Sequence, residues 1–105
     1  MTEIRYREDP EKKVLTFDAA GHAGGAEAGK NLVCAAVTTI VLLLAEYAEH
    51  NGGRAILEPG EAHISLDPVT GTAYARTREV FRACADAALG LADAYPEEVK
   101  IAEGN

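Results

Sequence analysis

Between Gly21 and Thr38 the chain reads Gly-His-Ala-Gly-Gly-Ala-Glu-Ala-Gly-Lys-Asn-Leu-Val-Cys-Ala-Ala-Val-Thr. This stretch pairs one histidine, His22, with one cysteine, Cys34, across a glycine-rich loop. Such a loop can fold His22 back over Cys34. If a helix begins near Asn31, Cys34 lies in its first turn, where unpaired backbone N–H groups and the helix dipole favour a thiolate over a thiol. A thiolate beside an imidazole is the minimal apparatus for nucleophilic cysteine catalysis.

Each of these residues also has a plainer reading. A lone cysteine often packs as a small hydrophobe, and a lone loop histidine is often simply solvated. Asn31 serves either as the helix N-cap, which needs no further role, or as the group that orients the imidazole. The cap is the favoured reading. Gly21, Gly24, Gly25 and Gly29 follow neither the dinucleotide nor the P-loop spacing, and Lys30 is not followed by Ser or Thr. A mobile lid over the thiol fits these glycines better than a phosphate cradle. Cys84 falls on an inward helical stripe and reads as core. His50 suits a helix C-terminus. His63 lies on the polar side of a strand and reads as solvated. His22, Cys34 and Glu27 make a poor zinc set, because a zinc site needs three or four convergent ligands. No metal and no cofactor is expected.

The elements that must position His22 and Cys34 follow from the pattern. Ile4 to Arg7 reads as a short strand and Asp9-Pro10-Glu11-Lys12 as a turn. From Val14 to Ala20, Leu15, Phe17 and Ala19 share one face, which predicts a half-buried strand in a hairpin with the first. Asn31 to His50 predicts a helix, stopped by Asn51-Gly52-Gly53. Its β-branched run Val37-Thr38-Thr39-Ile40-Val41 favours strand, but twenty residues without a turn signal decide for helix. Val33, Ala36, Val37, Ile40, Val41, Leu43, Leu44 and Tyr47 make it apolar nearly all round. It therefore needs a partner beyond the sheet, and a second copy of the chain is the expected one.

Arg54 to Glu58 and Ala62 to Asp67 predict a second hairpin around Pro59-Gly60. Thr72 to Tyr95 predicts a second helix, with Tyr74, Thr77, Phe81, Cys84, Ala88, Leu91 and Tyr95 on its stripe and Pro96 as its stop. Val99 to Ile101 can add a short last strand. The expected fold is α+β: an antiparallel sheet with two helices in ββα-ββα order.

The chain of 105 residues is enough for one domain, read as spanning 1–105. Hydrophobic residues make up 48%, so a core forms without disulfides or metals. The net charge of −7 disfavours direct nucleic-acid binding but suits a basic peptide substrate. The polar start Thr2-Glu3-Ile4-Arg5 does not read as a secretory signal. Leu32 to Ala45 is short for a bilayer span and interrupted by Thr38 and Thr39, so no membrane role is expected. Two cysteines read as free thiols of a cytoplasmic chain.

Gly21-His22-Ala23 followed by Gly29-Lys30-Asn31-Leu32-Val33-Cys34-Ala35-Ala36-Val37-Thr38 resembles the signature of the ribosomal-processing cysteine protease Prp family, also called YsxB-like. The Gly-Gly before the third strand and the ending Leu91-Ala92-Asp93-Ala94-Tyr95-Pro96-Glu97-Glu98-Val99-Lys100-Ile101 resemble it too. The resemblance covers nearly the whole chain. It implies a small cytoplasmic homodimer that removes the N-terminal extension of a large-subunit ribosomal protein, using a Cys/His pair. On this chain it implies Cys34 as nucleophile, His22 as general base and Ala23 to Gly29 as a gating loop.

Two positions depart from the family's usual residues. Asn31 stands where Asp is usual, which keeps hydrogen bonding and loses a charge. Thr38 stands where Ser is usual, which keeps a hydroxyl one turn after Cys34. Both are supporting candidates for the site. The alternative function is a ribosome-assembly factor on the same fold that clamps a peptide without cutting it. Replacing Cys34 discriminates, since a clamp tolerates the change and a protease does not.

Overall fold

A computed structural model describes residues 1–21, 32–67 and 71–102. The element order is β1 (Thr2–Asp9), β2 (Val14–Ala20), α1 (Leu32–His50), β3 (Arg54–Glu58), β4 (Glu61–Leu66), α2 (Gly71–Ala94) and β5 (Val99–Ile101). The strands form one sheet in the order β3-β4-β2-β1-β5. Four of them pair antiparallel, as the alternation predicts. The fifth departs from that expectation. β5 returns from α2 and pairs parallel to β1, so the sheet is mixed. A strand reached through a helical crossover can meet its neighbour in that sense.

β1 is also longer than Ile4 to Arg7, because it pairs with β2 from Glu3↔Ala20 to Asp9↔Val14 and Thr2 pairs with Val99 of β5. The turn between them is held by the Lys12 N–H, which donates to Asp9 Oδ1 at 3.1 Å.

Alternation decides which face of the sheet is covered. Ile4, Leu15, Phe17, Ala19, Ala62, Ile64 and Leu66 are buried together with residues of both helices. α1 contributes Val33, Val37, Val41, Leu44, Ala45 and Ala48. α2 contributes Tyr74, Thr77, Phe81, Cys84, Ala85 and Ala88. The opposite face, with Arg5, Asp18 and His63, carries no helix residue of that core. Phe17 is 0% exposed. Its ring stacks on Tyr6 at 6.2 Å between centroids and meets Phe81 edge-on at 6.4 Å. Arg82 forks onto Glu8, Nε to Oε1 at 3.1 Å and Nη2 to Oε2 at 2.9 Å, which ties α2 to β1.

The stop after α1 forms as its residues require. The Gly53 N–H reaches back to the Ala48 carbonyl at 2.7 Å and the Gly52 N–H to Glu49 at 3.3 Å. These two bonds close the last turn as a Schellman motif. α2 ends one residue before Tyr95. That side chain is 44% exposed and lies off the buried stripe on which the periodicity places it. Cys84 is core as expected, and burial pushes its thiol pKa up.

Thr77 is 1% exposed, yet among the described residues its hydroxyl has no hydrogen-bond partner. Thr38 and Thr39 on α1, by contrast, donate to the carbonyls four residues back at 2.8 and 2.9 Å. A buried, unmade hydrogen bond is destabilising. Thr77→Val keeps the shape and removes the hydroxyl, so it raises stability by about 1 kcal/mol. Urea unfolding of the two proteins checks this.

By length and composition α1 is long and apolar enough to cross a membrane. Here it is an element of the folded domain, with one face in the core. Leu42 and Leu43 on its other side are 52% and 55% exposed.

Candidate active site

Val33, Val37 and Val41 are buried against the sheet and fix the rotation of α1 about its axis. Cys34, in the first turn, is then half-buried and points into a groove. The Thr38 hydroxyl donates to the Cys34 carbonyl at 2.8 Å. Thr38 therefore does hydrogen-bond at the candidate site, through the backbone of the cysteine. Such a bond from a helical threonine bends the turn it spans slightly. Neither cysteine forms a disulfide.

The groove holds about 180 Å³. Cys34, Val37, Thr38, Val41 and Leu42 of α1 make one wall. Leu57, Glu58, Gly60, Glu61 and Ala62 of the β3–β4 hairpin face them, and Thr2, Ala19 and Gly21 close the end. Its lining is mostly apolar. Gly21 has φ 96°. A Cβ there would collide with the Met1 carbonyl oxygen, so only glycine fits. The Gly21 N–H donates to the Gly60 carbonyl at 2.8 Å, which locks the end of β2 to the hairpin turn.

His22, Ala23, Gly24, Gly25, Gly29 and Asn31 lie outside the described residues. What the described chain contributes is both flanks of that segment: Gly21, next to His22 in sequence, lines the groove that holds Cys34. The hairpin wall was not among the residues singled out from sequence. Its turn is legible in Pro59-Gly60, but nothing local tells that it faces Cys34.

On the open face of the sheet, His63 is not merely solvated as its strand position suggests. Its Nδ1 lies 2.9 Å from Asp18 Oδ1 and its Nε2 lies 3.4 Å from Glu61 Oε1. The bond to Asp18 above all raises its pKa above the usual 6.5; burial, the next effect in size, opposes the rise, and the bond to Glu61 adds to it. A raised histidine pKa stabilises the fold in full below the unfolded value, and this contribution is lost as pH rises through the folded value. Both partners are well exposed, so the effect is small. His63→Gln should therefore flatten the fall in stability between about pH 6 and 8, read as urea midpoints of the two proteins across that range.

His50 Nε2 sits 3.1 Å from Glu46 Oε1 in the last turn of α1. Among the described residues, no group of three or more His, Cys, Asp or Glu side chains is placed to hold a metal ion.

The described chain is a two-layer α+β domain whose first-turn cysteine opens on a mostly apolar groove. The family model described as cysteine protease Prp matches residues 1–100. The chain belongs to that family of cysteine peptidases. It is 44% identical over 41 residues to the ribosomal processing cysteine protease Prp of Bacillus subtilis (strain 168). That stretch covers 39% of this chain and 37% of the relative's length.

Among solved structures, the essential ribosomal processing protease Prp from S. aureus, crystallised with a covalently linked product peptide, superposes with a TM-score of 0.77. The identity is 18%, over 98% of this chain and 99% of that one. SMU.848 from Streptococcus mutans superposes with a TM-score of 0.70 at 23% identity, over 100% of this chain and 96% of that one. These two likenesses show the fold, including its mixed five-stranded sheet.

Proposed function

We propose that this chain is an endopeptidase that removes the N-terminal extension of a large-subunit ribosomal protein, with Cys34 as nucleophile and His22 as general base. The observation that carries the proposal is the position of Cys34: in the first turn of α1, on the wall of a mostly apolar groove of about 180 Å³. Membership of the Prp family supports it. So does the covalently linked product peptide of the S. aureus relative.

Cys34 Sγ attacks the scissile carbonyl carbon, and a C–S bond forms as the carbonyl oxygen gains charge. Backbone N–H groups at the start of α1 are the donors this scheme assigns to the oxyanion. His22 takes the thiol proton and returns it to the leaving amine, whose C–N bond breaks. Water then attacks the thioester and releases the second product. Asn31 stands near His22 in sequence as a neutral supporting group, and residues 23–29 gate the groove. No metal or cofactor takes part in this scheme.

The partner is a second copy of the chain. Leu42 and Leu43 leave an apolar side of α1 uncovered, the kind of surface that marks an interface. Sedimentation should therefore give a dimer, and a stable monomer would contradict this part of the reading. The proposal needs neither nucleic acid nor membrane, and the setting is the cytoplasm.

The test is incubation of the host's leader-bearing ribosomal protein with the enzyme under reducing conditions, read by mass spectrometry. A single cut at the leader junction is expected. Binding without a cut would instead support the clamp.

A further inference from the structure

We infer that Ala19 and Ala62 are specificity-determining residues: together they hollow the floor of the Cys34 groove, so that one large apolar side chain of the substrate, close to the scissile bond, seats there. The inference rests on the peptidase reading and names what sets the choice of substrate at that site.

Strand register carries it. On the covered face of the sheet, β2 and β4 oppose each other in three rows: Leu15 with Leu66, Phe17 with Ile64, and Ala19 with Ala62. The first two rows hold large side chains, buried with residues of both helices. The third holds two methyl groups. That row runs on into Leu57 of β3, opposite Ala62, and Ile4 of β1, opposite Ala19. Facing side chains on one side of a sheet are near neighbours. Two adjacent alanines between a leucine and an isoleucine therefore leave a dip in the row. Ala19, Ala62 and Leu57 line the groove that holds Cys34, with Val37, Val41 and Leu42 of α1 on the other wall. The Gly21 N–H, bonded to the Gly60 carbonyl at 2.8 Å, ties the end of β2 to the hairpin turn, so the floor keeps its shape.

Larger residues at 19 and 62, continuing the pattern of Phe17 and Ile64, would fill this space and bury more apolar surface within the chain. The chain instead keeps about 180 Å³ open beside its candidate nucleophile. Space lined by aliphatic groups is filled favourably by an apolar side chain. Because Cys34 lines the same small groove, the residue that enters it lies close to the bond under attack.

The test uses peptides spanning the leader junction of the host's ribosomal protein, with each side chain near the cut trimmed to alanine in turn. Wild type, Ala62→Val, Ala62→Leu and Ala19→Val are compared by competitive cleavage. The same peptides, fluorescently labelled, are bound to each protein carrying Cys34→Ala in addition. Wild type should favour the untrimmed peptide about tenfold at one apolar position, the lower end of what a methylene or more is worth in an apolar pocket. Either valine variant should reduce that preference, and Ala62→Leu should invert it, so that the trimmed peptide becomes the better substrate. Valine suits a strand, and urea unfolding identifies the variants that fold.

An unchanged preference in the folded variants, or an equal fall for every peptide with no rescue by the trimmed one, overturns the inference. Binding that exchanges size in this way without any cleavage by wild type would sink the peptidase reading and leave the hollow standing. Cleavage with no exchange of size preference would do the opposite.

Discussion

Replacing Cys34 by alanine lowers cleavage of the leader-bearing substrate by at least about a thousandfold, the scale on which nucleophile removal acts in cysteine- and serine-type hydrolases. The fold should not change with it. Cys34 is half-buried in the first turn of α1, and alanine is the best helix former. The loss is therefore chemical, and unfolding curves of variant and wild type should coincide within a few tenths of a kcal/mol. His22→Ala should give a comparable loss, because a thiol without its base and a base without its thiol fail at the same step. The double variant should be little worse than either single one, since residues that act as a unit are not additive. Mass spectrometry of the substrate after incubation reads all three. Undiminished cleavage by Cys34→Ala would remove the nucleophile assignment.

Phe17→Ala should be the most damaging single truncation of the core. Phe17 is fully buried on the central strand β2, paired with Tyr6 on β1 and Ile64 on β4. Its ring meets both Tyr6 and Phe81, so it joins the sheet to α2. Deleting a ring in such a place costs about 3–5 kcal/mol, against a total stability of about 5–15 kcal/mol for a domain of this kind. The urea midpoint should fall steeply, and the groove should lose activity in parallel as α1 and the sheet loosen. A loss near 1 kcal/mol would mean that the space collapses around the missing ring.

Much of the fold was legible in the chain because it rests on short-range periodicity. Alternation at Leu15, Phe17 and Ala19 and at Ala62, Ile64 and Leu66 marked the covered face of the sheet, and those six side chains are buried. The bounds of β2, β3 and β5 agree with the pattern; α1 starts one residue later than expected, and β4 and α2 are each shifted one residue toward the N-terminus at both ends. Tyr95 was misplaced because a 3.6-residue period continues on paper past the residue at which Pro96 stops the helix. His63 was misjudged for another reason. Its partners, Asp18 and Glu61, lie on a neighbouring strand and two residues back on its own, and register alone sets those distances.

The chain by itself determined that Cys34 would open a helix, because the apolar run ends at Asn51-Gly52-Gly53 and begins just before the cysteine. It determined the two hairpins, the buried stripe of α2 and the family signature around His22 and Cys34, all carried by residues close together in sequence. The parallel return of β5 onto β1 was decided only in three dimensions, where the end of α2 places Val99 beside Thr2. So was the wall opposite Cys34. Leu57 and Ala62 stand more than twenty residues away in sequence, and they line one groove with the cysteine only because α1 lies across the sheet with its valines buried. Local pattern reports which side of an element is apolar, whereas which elements then meet across a groove depends on packing between them.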